Sequence, residues 1–184
     1  MRIIAGSAKG ILLKKPASLT RPTMDRVRAA IFSILGDRLP YTTVLDLFAG
    51  TGAMGIEALS RGAAEATFVD HNTCSIEIIK KNLLTTRLYG EVQKIDVFSY
   101  LQRIGGAFHF DLIFADPPYA DHGGNNLAAS LLSSPFLLAA MAPEALLILE
   151  CHKNQSLVPS SFLRIIVDRI YGSTRILMMR KLEK

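Results

Sequence analysis

The octapeptide FAGTGAMG, residues 48–55, sets Gly50, Gly52 and Gly55 at the G-x-G-x-x-G spacing that lets backbone N–H groups approach a bound pyrophosphate. Two residues before it stands Asp46. A fixed negative charge there repels a phosphate and attracts a cation. S-adenosylmethionine (AdoMet) carries a sulfonium and an ammonium group and no phosphate, so Asp46 favours AdoMet over a nicotinamide dinucleotide. The glycines then serve close backbone approach to the methionine moiety, with Asp46, Phe48, Gly50 and Gly52 as the candidates for holding it. Asp70 follows Gly50 by 20 residues, where an acid can accept from ribose hydroxyls, and Asp96 can accept from the adenine amino group. Those two acids suit AdoMet and NAD equally.

A second stretch, Ala115-Asp116-Pro117-Pro118-Tyr119-Ala120, suits chemistry on an exocyclic amine. An amine conjugated to a purine is a poor nucleophile, because its lone pair is delocalised into the ring. The Asp116 carboxylate and a backbone carbonyl near Pro117 can both accept its N–H protons and turn the lone pair toward a methyl carbon for in-line attack on the sulfonium. Pro117 and Pro118 stiffen the turn that aims those acceptors, and Tyr119 offers a face on which a flipped-out base can stack. These four are the candidate catalytic residues. Residues 121–126, DHGGNN, read as a mobile loop over the site. The scattered histidines and cysteines have no ligand spacing, so no metal is expected.

The elements that must position these groups follow from periodicity. Alternating apolar runs and helical stretches predict strands at 43–47, 66–69, 92–95, 112–115, 146–150, 164–170 and 175–180. Helices are expected at 53–61, 73–86, 98–103 and 127–140, the last interrupted near Pro135. Such alternation implies right-handed βαβ units and a parallel sheet. The last two strands are separated only by Tyr171-Gly172-Ser173-Thr174, too short for a parallel crossover, and must form an antiparallel hairpin. The fold class is therefore α/β: a Rossmann-like class I methyltransferase layout with seven strands, mostly parallel. The four acids Asp46, Asp70, Asp96 and Asp116 fall at the carboxyl ends of four successive strands and would face one crevice. Ahead of that domain, Arg2–Ala5 and Ile11–Leu13 flank a glycine turn and read as a β-hairpin extension. A helix capped by Thr23 follows, with Arg26 and Arg28 projecting away from its apolar stripe.

Charge divides the chain in the same place. Of the net +5, residues 1–38 hold eight Lys/Arg against Asp25 and Asp37, while the remaining 146 residues are close to neutral. A basic segment on a near-neutral body reads as a phosphate-contacting surface for nucleic acid. Division into a basic RNA-contacting extension, 1–38, and an AdoMet-binding catalytic domain, 39–184, follows. No apolar run is long enough to span a membrane, and the N-terminus lacks the features of a signal peptide. Cys74 and Cys151 suggest no disulfide framework, which places the protein in a reducing cytoplasm.

Nearly the whole chain resembles the RsmD family of bacterial 16S ribosomal RNA guanine-N2 methyltransferases. The resemblance rests on Arg2-Ile3-Ile4-Ala5-Gly6 with Lys9-Gly10, on Arg21-Pro22-Thr23 with Asp25-Arg26-Val27-Arg28, and on Asp46-Leu47-Phe48-Ala49-Gly50-Thr51-Gly52. It continues through Asp116-Pro117-Pro118-Tyr119 to Tyr171-Gly172 with Thr174. It implies methylation of one guanine N2 in 16S rRNA, in an assembled or assembling small subunit. AdoMet is the expected cofactor and a monomer the expected state. RNA contacts are expected from Arg2, Lys9, Arg21, Arg26, Arg28 and Tyr119. Two positions depart from the family pattern: Ala29 stands where a Glu is usual and Ser33 where an Asn is usual. Asp-Pro-Pro-Tyr does not distinguish guanine N2 from adenine N6 of DNA or RNA, or from a protein glutamine. A NAD-dependent oxidoreductase and an RNA-binding assembly factor without catalysis are the readings from other classes.

Overall fold

A computed structural model describes residues 1–16, 22–118 and 126–182. Its elements run α1 (Pro22–Leu35), β1 (Thr43–Leu47), α2 (Ala53–Ser60), β2 (Glu65–Asp70), α3 (Thr73–Thr86), β3 (Glu91–Lys94), α4 (Val97–Ile104), β4 (Phe110–Ala115), α5 (Leu127–Leu132), α6 (Pro135–Ala140), β5 (Met141–His152), β6 (Leu163–Tyr171) and β7 (Thr174–Lys181). The seven strands form one sheet in the order β3-β2-β1-β4-β5-β7-β6. The first five are parallel, and β7 runs antiparallel between β5 and β6. The chain thus has the Rossmann-like class I methyltransferase fold that the sequence predicts. Strand order reverses between β1 and β4, the switch point at which open α/β sheets leave a crevice.

Period-two alternation explains the two-sided core. Val44, Phe114, Ile148 and Met178 pack on one face under α1, α2 and α3, whereas Leu45, Ile113, Leu147 and Leu177 pack on the other with α4, α5 and α6. Strands buried on both faces read as continuous apolar runs, as Ala145–Leu149 does.

Several boundaries differ from the sequence reading for identifiable reasons. Helix α1 begins at Pro22, ahead of the expected Thr23 cap, because proline's fixed φ suits the first helical position. The segment 127–140 is two helices, since Ser134 precedes Pro135 and takes extended backbone. Strand β5 starts at Met141, five residues before the expected start at Leu146. Its register against β4 shifts between Phe110 and Leu112, and Glu144 sits at φ 59° in that irregular stretch. The expected N-terminal hairpin is present as a short one: an antiparallel bridge joins Arg2 to Leu12, and the amides of Ile3, Gly10 and Leu13 donate to the carbonyls of Ile11, Ile3 and Met1.

The short hairpin is also docked on helices. Glu57 of α2, fully buried, accepts from the amides of Ile4 (2.7 Å) and Ala5 (3.0 Å). Ser60 accepts from the amide of Ser7 through its carbonyl and from that of Ala8 through its hydroxyl. Asn82 of α3, also fully buried, binds both the amide and the carbonyl of Lys14 and the carbonyl of Thr51. Buried polar groups with every bond made hold such a segment rigidly.

Candidate active site

The register of the sheet brings three acids to one face. Asp46 of β1 pairs with Phe114 of β4, and Phe114 with Ile148 of β5. Two residues beyond Phe114 and Ile148 stand Asp116 and Glu150, and a two-residue step returns a strand's side chain to the same face. Asp46, Asp116 and Glu150 line a crevice of about 810 Å³, its open mouth included, with Phe48, Gly50 and Thr51 of the glycine loop and Arg28 of α1.

The glycine loop is shaped as its sequence requires. Gly50 and Gly52 both lie at positive φ (55° and 73°), and Gly52 precedes the first turn of α2. A Cβ at Gly55 would come within 2.4 Å of the Phe68 ring, so only glycine lets α2 lie this close to β2. Phe48 also adopts a left-handed conformation, at φ 56°. Strain of this kind persists where the surroundings fix it, and here the next residue's amide, Ala49 N–H, donates to Val69.

Electrostatics set this crevice apart. Asp46 is 3% exposed, and one carboxylate oxygen accepts from the Gly55 amide at 2.9 Å. Burial pushes its carboxyl up to about 7, the Gly55 bond opposes that rise, and the charge of Asp70 adds to it. Enclosure by protein also raises the Asp116 carboxyl, followed by the charges of Glu150 and Asp46. The Asp116 side chain still meets solvent at the mouth, so water tempers the first cause and the two acids sustain the direction. Acids that resist ionising together are relieved by a cation among them. This donor set therefore fits the sulfonium and ammonium of AdoMet and opposes a pyrophosphate.

The other predicted residues are distributed as follows. Asp70 lies at the end of β2 and is buried. Its two oxygens accept from the Gly50 amide (2.9 Å) and the Asn72 amide (2.8 Å), so it braces the glycine loop from behind. Asp96 follows β3 and caps α4 by accepting from the Ser99 amide at 2.9 Å. Neither reaches the crevice wall; both lie toward the β3 edge. Pro117 is buried and Pro118 exposed, directly after Asp116. Tyr119 and Arg21 lie outside the described residues, as does the expected loop except Asn126, which caps α5 by accepting from the Ala129 amide.

Arg2, Lys9 and Arg26 are exposed, as a nucleic-acid surface needs. Arg28 requires a correction. It does not project from α1 but is 3% exposed, donating from Nη2 to the Arg2 carbonyl and to Asp25. The apolar stripe of α1 misses this because what covers the guanidinium, the backbone at Arg2, comes from a segment distant in sequence. Sequence reasoning also passes over Glu150, although a charge closing the apolar run Ala145–Leu149 repeats the strand-end pattern of the other acids. Among the described residues, no group of three His, Cys, Asp or Glu could hold a metal ion, and no helix is long and apolar enough to cross a membrane.

Comparison with known proteins places this geometry in a lineage. The family model described as conserved hypothetical protein 95 matches residues 1–180. The chain is 32% identical over 176 residues to ribosomal RNA small subunit methyltransferase D of Haemophilus influenzae, covering 94% of this chain and 89% of that one. It is 38% identical over 121 residues to the protein of the same name in Escherichia coli K12, covering 65% and 60%. Among solved structures, E. coli yhhF superposes with a TM-score of 0.85 at 30% identity, covering 100% of this chain and 99% of the other. The same fold recurs at 17% identity, with a TM-score of 0.72, in SMU.776, solved with S-adenosylhomocysteine, covering 88% of this chain and 50% of that one.

Proposed function

Since the chain belongs to the RsmD family, whose model spans residues 1–180, we propose that it transfers a methyl group from AdoMet to the exocyclic N2 amine of one guanine in 16S rRNA, within an assembled or assembling small subunit. The observation that carries this reading is the common face of Asp46, Asp116 and Glu150 beside the glycine loop. The relatives named ribosomal RNA small subunit methyltransferase D support the rRNA substrate.

When bound, AdoMet supplies an electrophilic methyl carbon on a positively charged sulfur. Asp46 holds the cationic end of the donor, with one oxygen already fixed by Gly55. Asp70 and Asp96 serve the ribose and adenine with the lone pairs that their loop and cap bonds leave over. Asp116 accepts an N–H of the target amine, while Pro117 and Pro118 restrict the turn that carries a second, carbonyl acceptor, and Tyr119 stacks on the base. The amine nitrogen must lose a proton once its new N–C bond has formed. A carboxylate raised above the usual range, as Asp116 is, takes that proton more readily than an ordinary one. Arg2, Lys9, Arg21 and Arg26 contact RNA phosphates.

The decisive experiment incubates the purified protein and labelled AdoMet with small subunits from cells that lack this gene, followed by site mapping and nucleoside mass spectrometry. N2-methylguanosine at a single position is the expected product. Methylated adenine, or label on protein, would replace the substrate assignment. Calorimetric binding of NAD without binding of AdoMet would replace the reaction class.

A further inference from the structure

Arg28 is the one basic side chain in the crevice wall among the described residues. Its guanidinium is 3% exposed, and Nη2 is satisfied by Asp25 (3.0 Å) and by the Arg2 carbonyl. Nε and Nη1 are buried and have no hydrogen-bond partner among the described residues. Burial lowers the affinity of this guanidinium for its proton, and only the charges of Asp25 and Glu57 counter it. Buried donors without partners are rare in native structures and call for an explanation such as a missing ligand.

The rest of the wall constrains what that ligand is. Asp46, Asp116 and Glu150 make the crevice hostile to anions. AdoMet nevertheless brings an anion of its own, the α-carboxylate, next to its ammonium group. An anion entering beside three acids needs a cation at its side, and among the described side chains of the wall Arg28 supplies one. A phosphodiester of RNA on the outer surface cannot reach a side chain so deeply covered. Resting on the AdoMet reading above, we propose that Arg28 receives the α-carboxylate of the donor through a charge-assisted hydrogen bond from Nη1, the terminal nitrogen that lacks a partner. Arg28 and Asp46 thus divide the amino-acid end between them, anion to arginine and cation to aspartate. Both forks of the guanidinium run through Nη2, which Asp25 and the Arg2 carbonyl already occupy, so the carboxylate is held by a single charge-assisted bond. On this view α1 is part of the cofactor site, and Arg2 and Asp25 are positioning residues that hold the guanidinium.

Calorimetry with AdoMet and with decarboxylated AdoMet, which keeps the sulfonium and the amine, tests this directly. The unaltered protein should bind AdoMet roughly 10- to 100-fold more tightly, the range expected for a charge-assisted pair. Arg28→Gln should bring AdoMet down to the level of the decarboxylated compound while leaving the latter nearly unchanged, and Arg28→Lys should restore part of the preference. Equal binding of both compounds by the unaltered protein overturns the inference and leaves the AdoMet reading standing. No binding of either overturns both. If Arg28→Gln keeps the full preference and loses only turnover on RNA, Arg28 contacts the base instead and the proposal fails. Should Arg28→Gln not fold, the ratio in the unaltered protein still decides.

Discussion

Asp116 and Asp46 are raised carboxyls in one crevice, but their surroundings assign them different work. Asp116 meets solvent at the mouth, where a base arrives, and in the proposed reaction it touches only the amine. Asp116→Ala should therefore lower methyl transfer at least about 100-fold, the usual cost of removing one transition-state contact, with AdoMet affinity within a few-fold. Labelled-methyl transfer and calorimetry on one preparation check both halves, and retained turnover would make the motif structural. Asp46 is sealed inside, and its carboxyl titrates near 7. Its raised value makes the folded protein bind more protons than the unfolded chain between about pH 4 and 7, so the free protein loses stability as pH rises through that window. The cationic donor prefers the ionised form, so AdoMet affinity should rise over the same window and level off above about pH 8. Asp46→Asn keeps an oxygen for the Gly55 amide and cannot ionise. Thermal melts from pH 5 to 8, with and without AdoMet, should lose much of their pH dependence in that variant and show weaker stabilisation by the donor. An unchanged pH profile would mean that the ammonium and sulfonium lie elsewhere.

At the scale of elements, α3 ties the N-terminal segment to the glycine loop through a single side chain. The Asn82 amide bonds both backbone groups of Lys14 and the Thr51 carbonyl, and Thr51 lines the crevice. Asn82→Ala leaves these groups without their partner, at a cost of about 2–4 kcal/mol or roughly 5–10 °C in melting temperature for a domain of this size. It should also weaken AdoMet binding, because the loop loses its brace. A variant that melts lower but binds AdoMet as tightly as before would separate the hairpin dock from the site. Such cross-braces are what one-dimensional reading cannot find. The strands are legible because Val44–Leu47, Ile113–Ala115 and Leu146–Leu149 are buried on both faces, and the crevice because glycines and acids recur at the strand ends. Asn82, Glu57 and Arg28 are not legible. Each is a polar residue on a helix, a pattern that normally marks the solvent side, and each is buried only because a segment distant in sequence packs over it. Glu150 lies between these cases: its strand is plain in the sequence, but its approach to Asp116 depends on the pairing of β4 with β5, which connects residues 34 apart.

Over the whole molecule the charges separate into two poles. Acids gather in the crevice at the switch point, the place proposed for the cationic donor, while the excess of Lys and Arg sits in the first 38 residues. Those residues are not a loose arm. Glu57, Ser60 and Asn82 dock residues 4–14 onto the helices that carry the glycine loop, and α1 packs into the core through Val27, Ile31, Phe32 and Leu35. A cationic surface rigidly joined to the site can orient an RNA as well as attract it, since phosphate contacts fix register while the pocket selects the base. Arg28 is committed to the interior, so the exposed Lys9 and Arg26 carry the test. The paired reversals Lys9→Glu and Arg26→Glu should weaken binding to small subunits and flatten its dependence on salt by about one in the logarithmic slope for each phosphate that is no longer neutralised. AdoMet affinity should stay within about twofold, because neither residue lines the crevice. Filter binding between about 50 and 200 mM salt (the range over which counterion release is readily measured) supplies the slope. If it does not change, the basic pole serves only solubility and the RNA approaches the crevice from another side.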